Sequence, residues 1–175
     1  MKPADKAQEL CTSCGICCDN TLFDVVIQQD GDPHMEKWSA QETLEDGKAY
    51  FRLPCPYFAG CCSIYDQDKP RRCSEFKCSL LKKMNANEIS KVQALKTVRD
   101  ILKARNEIIR EYAAVTGETK TFLQIYRELA LTEAEVDAMP IELKTVHFKS
   151  NLLHVQLARW FRAPEEFEKY VHSMS

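Results

Sequence analysis

All nine cysteines of this 175-residue chain fall between positions 11 and 78, and none follows. The run opens as Cys11-Thr-Ser-Cys14-Gly-Ile-Cys17-Cys18. After a thiol-free segment it closes with Cys55-Pro56, Cys61-Cys62-Ser-Ile-Tyr65, Pro70-Arg-Arg-Cys73 and Phe76-Lys-Cys78. Thiolates are soft ligands that suit zinc and iron–sulfur clusters alike. Their concentration in two sequence-distant groups points to a metal or iron–sulfur site assembled from both.

Spacing narrows the chemistry. Cysteines at i, i+3 and i+6 in a tight turn aim three sulfurs at one centre, and Gly15 suits such a turn. A C-x2-C-x2-C run completed by a remote cysteine followed by proline holds a [4Fe-4S] cluster in bacterial ferredoxins. Cys11, Cys14, Cys17 and Cys55 would make that set. Cys18 then points away, because neighbouring side chains diverge, and joins Cys62, Cys73 and Cys78 in a second four-sulfur site. Zinc competes, since it takes four thiolates in a tetrahedron, with C-x2-4-C knuckles as its usual donor pairs. The first group offers such knuckles, whereas the second has C-x5-C, C-x6-C and C-x4-C spacings. The spacing leans towards iron–sulfur and leaves zinc open. Cys61 is a spare thiol once eight complete two tetrahedral sets.

The cysteine pattern, with Ile64 and Tyr65 after Cys62, Pro70 before Cys73 and Phe76 before Cys78, resembles the YkgJ-type cysteine-cluster proteins. The match spans roughly residues 11–78 and implies chelation of zinc or iron, with no defined reaction. Lys69 stands where that family often has Arg before Pro70. The same pattern is similar to part of the larger flagellin lysine-N-methylases, which would imply cluster-assisted methyl transfer. This chain is short for that activity and lacks the C-x3-C-x2-C spacing of radical S-adenosylmethionine chemistry. It also has no Ser-His-Asp set, phosphate-binding glycine loop or H-E-x-x-H. The catalytic residues, if the chain is an enzyme, are unassigned; Tyr65 and Arg72 are the non-cysteine side chains to test.

The protein is expected to be cytoplasmic, where thiols stay reduced. The opening Met1–Leu10 has no apolar targeting core, and no stretch is long and apolar enough to cross a bilayer. In such a compartment clustered cysteines read as ligands rather than disulfides, and an odd total fits a disulfide set poorly. A net charge of −2 argues against a nucleic-acid surface. Residues 1–80 carry 9 Lys+Arg against 13 Asp+Glu, and residues 81–175 carry 15 against 13. Four thiolates around zinc add a formal charge of two minus. Arg52, Lys69, Arg71, Arg72 and Lys77 are candidates to offset it.

These elements must position the thiols. Residues 22–27 read as a strand with Phe23, Val25 and Ile27 on one face, residues 49–53 as a second, and residues 63–65 as a third. Asp30-Gly-Asp-Pro33 and Glu45-Asp46-Gly47-Lys48 are turns. Gly60 permits a reversal that brings Cys62 towards Cys55, and Pro70 opens a helical turn carrying Cys73. From about Asn85 an apolar stripe through Ile89, Val92, Leu95, Val98, Ile101, Ile108, Tyr112 and Val115 predicts an amphipathic helix ending at Gly117. Further helices are expected over 121–131, from the Thr132/Glu135 capping box, from Pro140 to about Phe161, and from Pro164 to Val171.

The fold class is α+β: a cysteine-rich metal-binding module with short strands (1–84), followed by a helical region packing on it (85–175). His147 and His154, seven apart on one helix, read as packing or surface residues, and His34 and His172 support no site. The function expected is metal or cluster chelation in an accessory, redox or sensor module, with the helices supplying a surface for a protein partner. The alternatives are a cluster-dependent enzyme and a structural zinc module.

Overall fold

The computed structural model describes residues 6–163, apart from 36, 38–41, 44–45 and 131, together with residue 165. It is a mixed fold. In chain order the elements are α1 (Lys6–Cys14), β1 (Val25–Ile27), β2 (Glu42–Thr43), β3 (Ala49–Arg52), α2 (Arg71–Glu75), α3 (Ser79–Asn85), α4 (Lys91–Thr116), α5 (Phe122–Glu128), α6 (Glu133–Ala138) and α7 (Ile141–Phe161). The expected helix from Pro164 to Val171 lies outside the described residues except at residues 165, and so does His172.

The helical part follows its local signals. Ser90 and Gln93, Thr121 and Gln124, and Thr132 and Glu135 form reciprocal capping boxes that satisfy the first amides of α4, α5 and α6. Gly117, at φ 76°, closes α4 by donating its N–H to the Ala113 carbonyl. Ala94, Val98, Ile101, Ile108 and Tyr112 of α4 are buried with Val146, Leu153, Leu157 and Phe161 of α7. Lys149 on α7 bridges Glu107 and Glu111 on α4 across the edge of that interface.

One break was not expected. The helix predicted from about Asn85 begins at Lys91, because Asn87 is left-handed at φ 59° and Ser90 caps a new start. The preceding α3 is separate, and its Leu80, Leu81 and Met84 are buried in the same core. Val92 and Val115 of the predicted stripe are exposed.

The sheet is small and antiparallel, with order β1-β3-β2 and Val26 opposite Phe51. Strand β1 is shorter than the expected run. Asn20, itself left-handed at φ 64°, donates from Nδ2 to the Phe23 carbonyl at 3.0 Å and to Asp24 at 3.2 Å, which holds residues 20–24 in a turn. The expected strand at residues 63–65 is a turn instead, with the Ser63 N–H donating to the Tyr57 carbonyl at 2.9 Å. The third strand is β2.

The cysteine-rich part has two packing centres. Leu10, Ile16 and Leu22 join the main core with α3, α4, α5 and α7, whereas Met35, Phe51 and Ile64 form a smaller cluster.

Candidate metal centre

The first cysteine group is built on a helix end rather than wholly within a turn. Cys11 and Cys14 occupy the last turn of α1, three residues apart and therefore on one face. Gly15, at φ 68°, stops the helix, and its carbonyl accepts the N–H groups of Cys18 and Asp19 at 2.7 and 3.0 Å. That reversal carries Cys17 back towards α1. Cys78 arrives from the other side as the N-cap of α3, where its sulfur accepts the Leu81 N–H at 3.4 Å. Cys11, Cys14, Cys17 and Cys78 all pack, partly buried, against the main core.

The second neighbourhood sits on the smaller cluster. The Cys55 carbonyl accepts the Phe58 N–H, and an antiparallel bridge between Phe58 and Cys62 returns the chain across Gly60 at φ 78°. Cys55 and Cys62 both pack against the Met35, Phe51 and Ile64 cluster. Cys73 lies on α2, which Pro70 caps, with its N–H donating to the Pro70 carbonyl at 2.9 Å.

Two contacts join the groups. The Cys55 N–H donates to the Cys18 carbonyl at 2.7 Å. The ring of Phe58 rests against Gly15 so closely that a side chain at Gly15 has no room. Two further ties fix the first loop to the helices: Asp19 pairs with Arg105 of α4, and the Asn20 side-chain Oδ1 accepts from the Thr121 hydroxyl at 2.5 Å.

None of the nine thiols is in a disulfide. Desolvation is the first cause of every resolved shift, followed by repulsion from neighbouring sulfurs or, at Cys14, Cys55 and Cys78, offset by backbone N–H donors. Cys11 and Cys73 are pushed up to about 11 and Cys14 and Cys18 to about 12. Cys17, the most deeply set, goes well above the ordinary thiol value, and Cys55 and Cys78 are raised. Cys73 is exposed as a residue, yet its sulfur is turned inward enough for burial to dominate. Thiols so placed are poor free nucleophiles; a cation would have to displace their protons.

Positive charge is already near. Lys69 lowers the cost of ionising both Cys11 and Cys73. Its ammonium donates to the Tyr65 carbonyl and lies 4.1 Å from the Tyr65 ring centroid. That gives Tyr65 a positioning contact. Arg105 acts in the same sense on Cys14 and Lys82 on Cys78. The sequence marks neither as a neighbour of the thiols, because Arg105 comes from the distant α4 and Lys82 from α3, which carries no local start signal.

The other expected cations are engaged elsewhere or stand apart. Arg71 serves the Asp30–Asp32 turn, where the buried Asp32 carboxylate accepts its N–H at 3.0 Å. Arg52 faces Asp24 and the Tyr50 hydroxyl. Arg72 and Lys77 line a cleft of about 390 Å³ with Phe23, Phe76 and Lys82. Cys61 is exposed and packs with neither core.

The donor set fits zinc or an iron–sulfur cluster by type and number. As the side chains stand, no three His, Cys, Asp or Glu among the described residues are arranged to hold one metal ion. Closure on an ion therefore requires the sulfurs to draw closer together. His147 and His154 do not join them: His154 stacks on Tyr126 at 4.1 Å, and His147 faces Asn151 at 2.9 Å. No family model matches the chain, and neither a curated protein nor a solved structure is detectably similar to it. Among the described residues no helix is long and apolar enough to cross a membrane.

Proposed function

We propose that this chain binds a metal through thiolates, as an iron–sulfur cluster such as [4Fe-4S] or as zinc, and serves as an accessory, redox or sensor module. Cys11, Cys14, Cys17, Cys18, Cys55, Cys62, Cys73 and Cys78 are its ligands. The observation that carries this reading is the meeting of the two groups at the Cys18 carbonyl and the Cys55 N–H, 2.7 Å apart. That contact brings the two cysteine groups against each other, and no disulfide consumes their thiols. The YkgJ-type resemblance of the cysteine pattern points the same way. Burial of neutral thiols around a metal site also couples binding to folding, since ligands must lose protons to bind.

The test is the composition of protein purified without oxygen. A broad brown absorbance with matching iron and sulfide identifies a cluster, and colourless protein with stoichiometric zinc identifies zinc. Protein that carries neither, and takes up neither on reconstitution, contradicts the proposal.

A further inference from the structure

We propose that the eight thiols form two separate centres, an inner one of Cys11, Cys14, Cys17 and Cys78 and an outer one of Cys18, Cys55, Cys62 and Cys73. This rests on the chelation reading above and assigns its ligands. It differs from the grouping that spacing suggests, in which Cys55 completes the first set and Cys78 the second.

Packing divides the thiols in this way. Four of them lie against the main core, supplied by the α1 end, the following turn and the α3 cap, while Cys55 and Cys62 lie against the Met35, Phe51 and Ile64 cluster. Backbone geometry places Cys18 with the second set, since its carbonyl holds the Cys55 amide. Cys17 and Cys18 are adjacent, so a single peptide links the centres while their side chains diverge. The Cys-Pro signal misleads because Cys55 opens the reversal that ends at Cys62. Cys78 instead caps a helix packed beside α1, the helix that carries Cys11 and Cys14.

Cys73 joins the outer set through α2, which lies against β1, the strand paired to the β3 that carries Phe51 of the smaller cluster.

Metal content of serine variants tests the assignment. Cys11→Ser and Cys78→Ser should each lose half of the metal, and combining them should lose no more. Cys55→Ser and Cys73→Ser should behave likewise, Cys78→Ser with Cys73→Ser should lose all of it, and Cys61→Ser none. A Cys11→Ser/Cys55→Ser variant that keeps half, beside a Cys11→Ser/Cys78→Ser variant that keeps none, overturns the assignment. Should variants fail to fold, cadmium-113 bound to the intact chain supplies the same information through its couplings to cysteine β-protons. One cadmium coupled to Cys11, Cys14, Cys17 and Cys78 upholds the inner centre, and one coupled to both Cys14 and Cys55 refutes it. Wild-type protein that binds no metal and no cadmium refutes the chelation reading itself, a result distinct from bound metal with exchanged ligands.

Discussion

Phe58 closes over Gly15: a β-carbon added at Gly15 would stand 1.9 Å from the Phe58 Cζ. The first cysteine loop thus receives the second through the one residue with neither a side chain nor a penalty at φ 68°. Gly15→Ala should cost about 1–2 kcal/mol for the left-handed backbone, and crowding should add about 1–3 kcal/mol. Urea unfolding of Gly15→Ala and of Gly15→Ala/Phe58→Ala separates the two, since the second substitution relieves only the crowding. A Gly15→Ala protein as stable as wild type would contradict the contact.

Arg105 and Asp19 pair at 17 and 16 % side-chain exposure, tying the turn after Cys18 to α4. Arg105→Met leaves a mostly buried carboxylate without its cation, a loss that typically costs about 3–5 kcal/mol. Asp19→Asn in the same background should recover part of it, as read from the urea midpoints. Equal stability of Arg105→Met and wild type would show that the pair does not hold the loop.

How much of this was legible in the sequence depended on whether the signal was local. The capping boxes at Thr132 and the stop at Gly117 are written within a few residues, and both elements are where the spacing placed them. The thiol cluster was legible by residue type alone. The turn at Asp19-Asn20 was legible, but three features were not: its extension to residue 24, which shortens β1, the Asn87 break before α4, and the helix that carries Cys11 and Cys14. Each depends on partners distant in sequence or on an asparagine adopting a backbone form only some asparagines adopt. Arg105 was invisible as a neighbour of Cys14 for the same reason.

His154 is held neutral. Burial first, and then the Arg162 charge, lower its pKa from 6.5 to about 4 while the ring stacks on Tyr126. The unfolded chain takes up this proton near 6.5 and the folded chain only near 4, so its contribution to stability is full above 6.5 and declines as pH falls towards 4. His154→Phe should flatten that part of the stability profile, and the imidazole proton shifts of the wild type should titrate near 4. Titration near 6.5 would contradict the burial.

Lys69 favours the ionised forms of Cys11 and Cys73, one thiol from each neighbourhood. Lys69→Met should weaken metal retention by about 1 kcal/mol, roughly fivefold, the size expected of a partly screened charge pair. Competition with a chelator measures it, with Lys77→Met as the comparison that should leave retention unchanged. Identical retention in Lys69→Met and wild type would remove Lys69 from the site.

X-ray absorption at the edge of the bound metal reads the ligands of the intact protein directly. The account predicts a first shell made of sulfur, at about 2.3 Å, the usual zinc–thiolate distance, with iron neighbours beyond it if the metal is a cluster. A first shell of oxygen and nitrogen would contradict it.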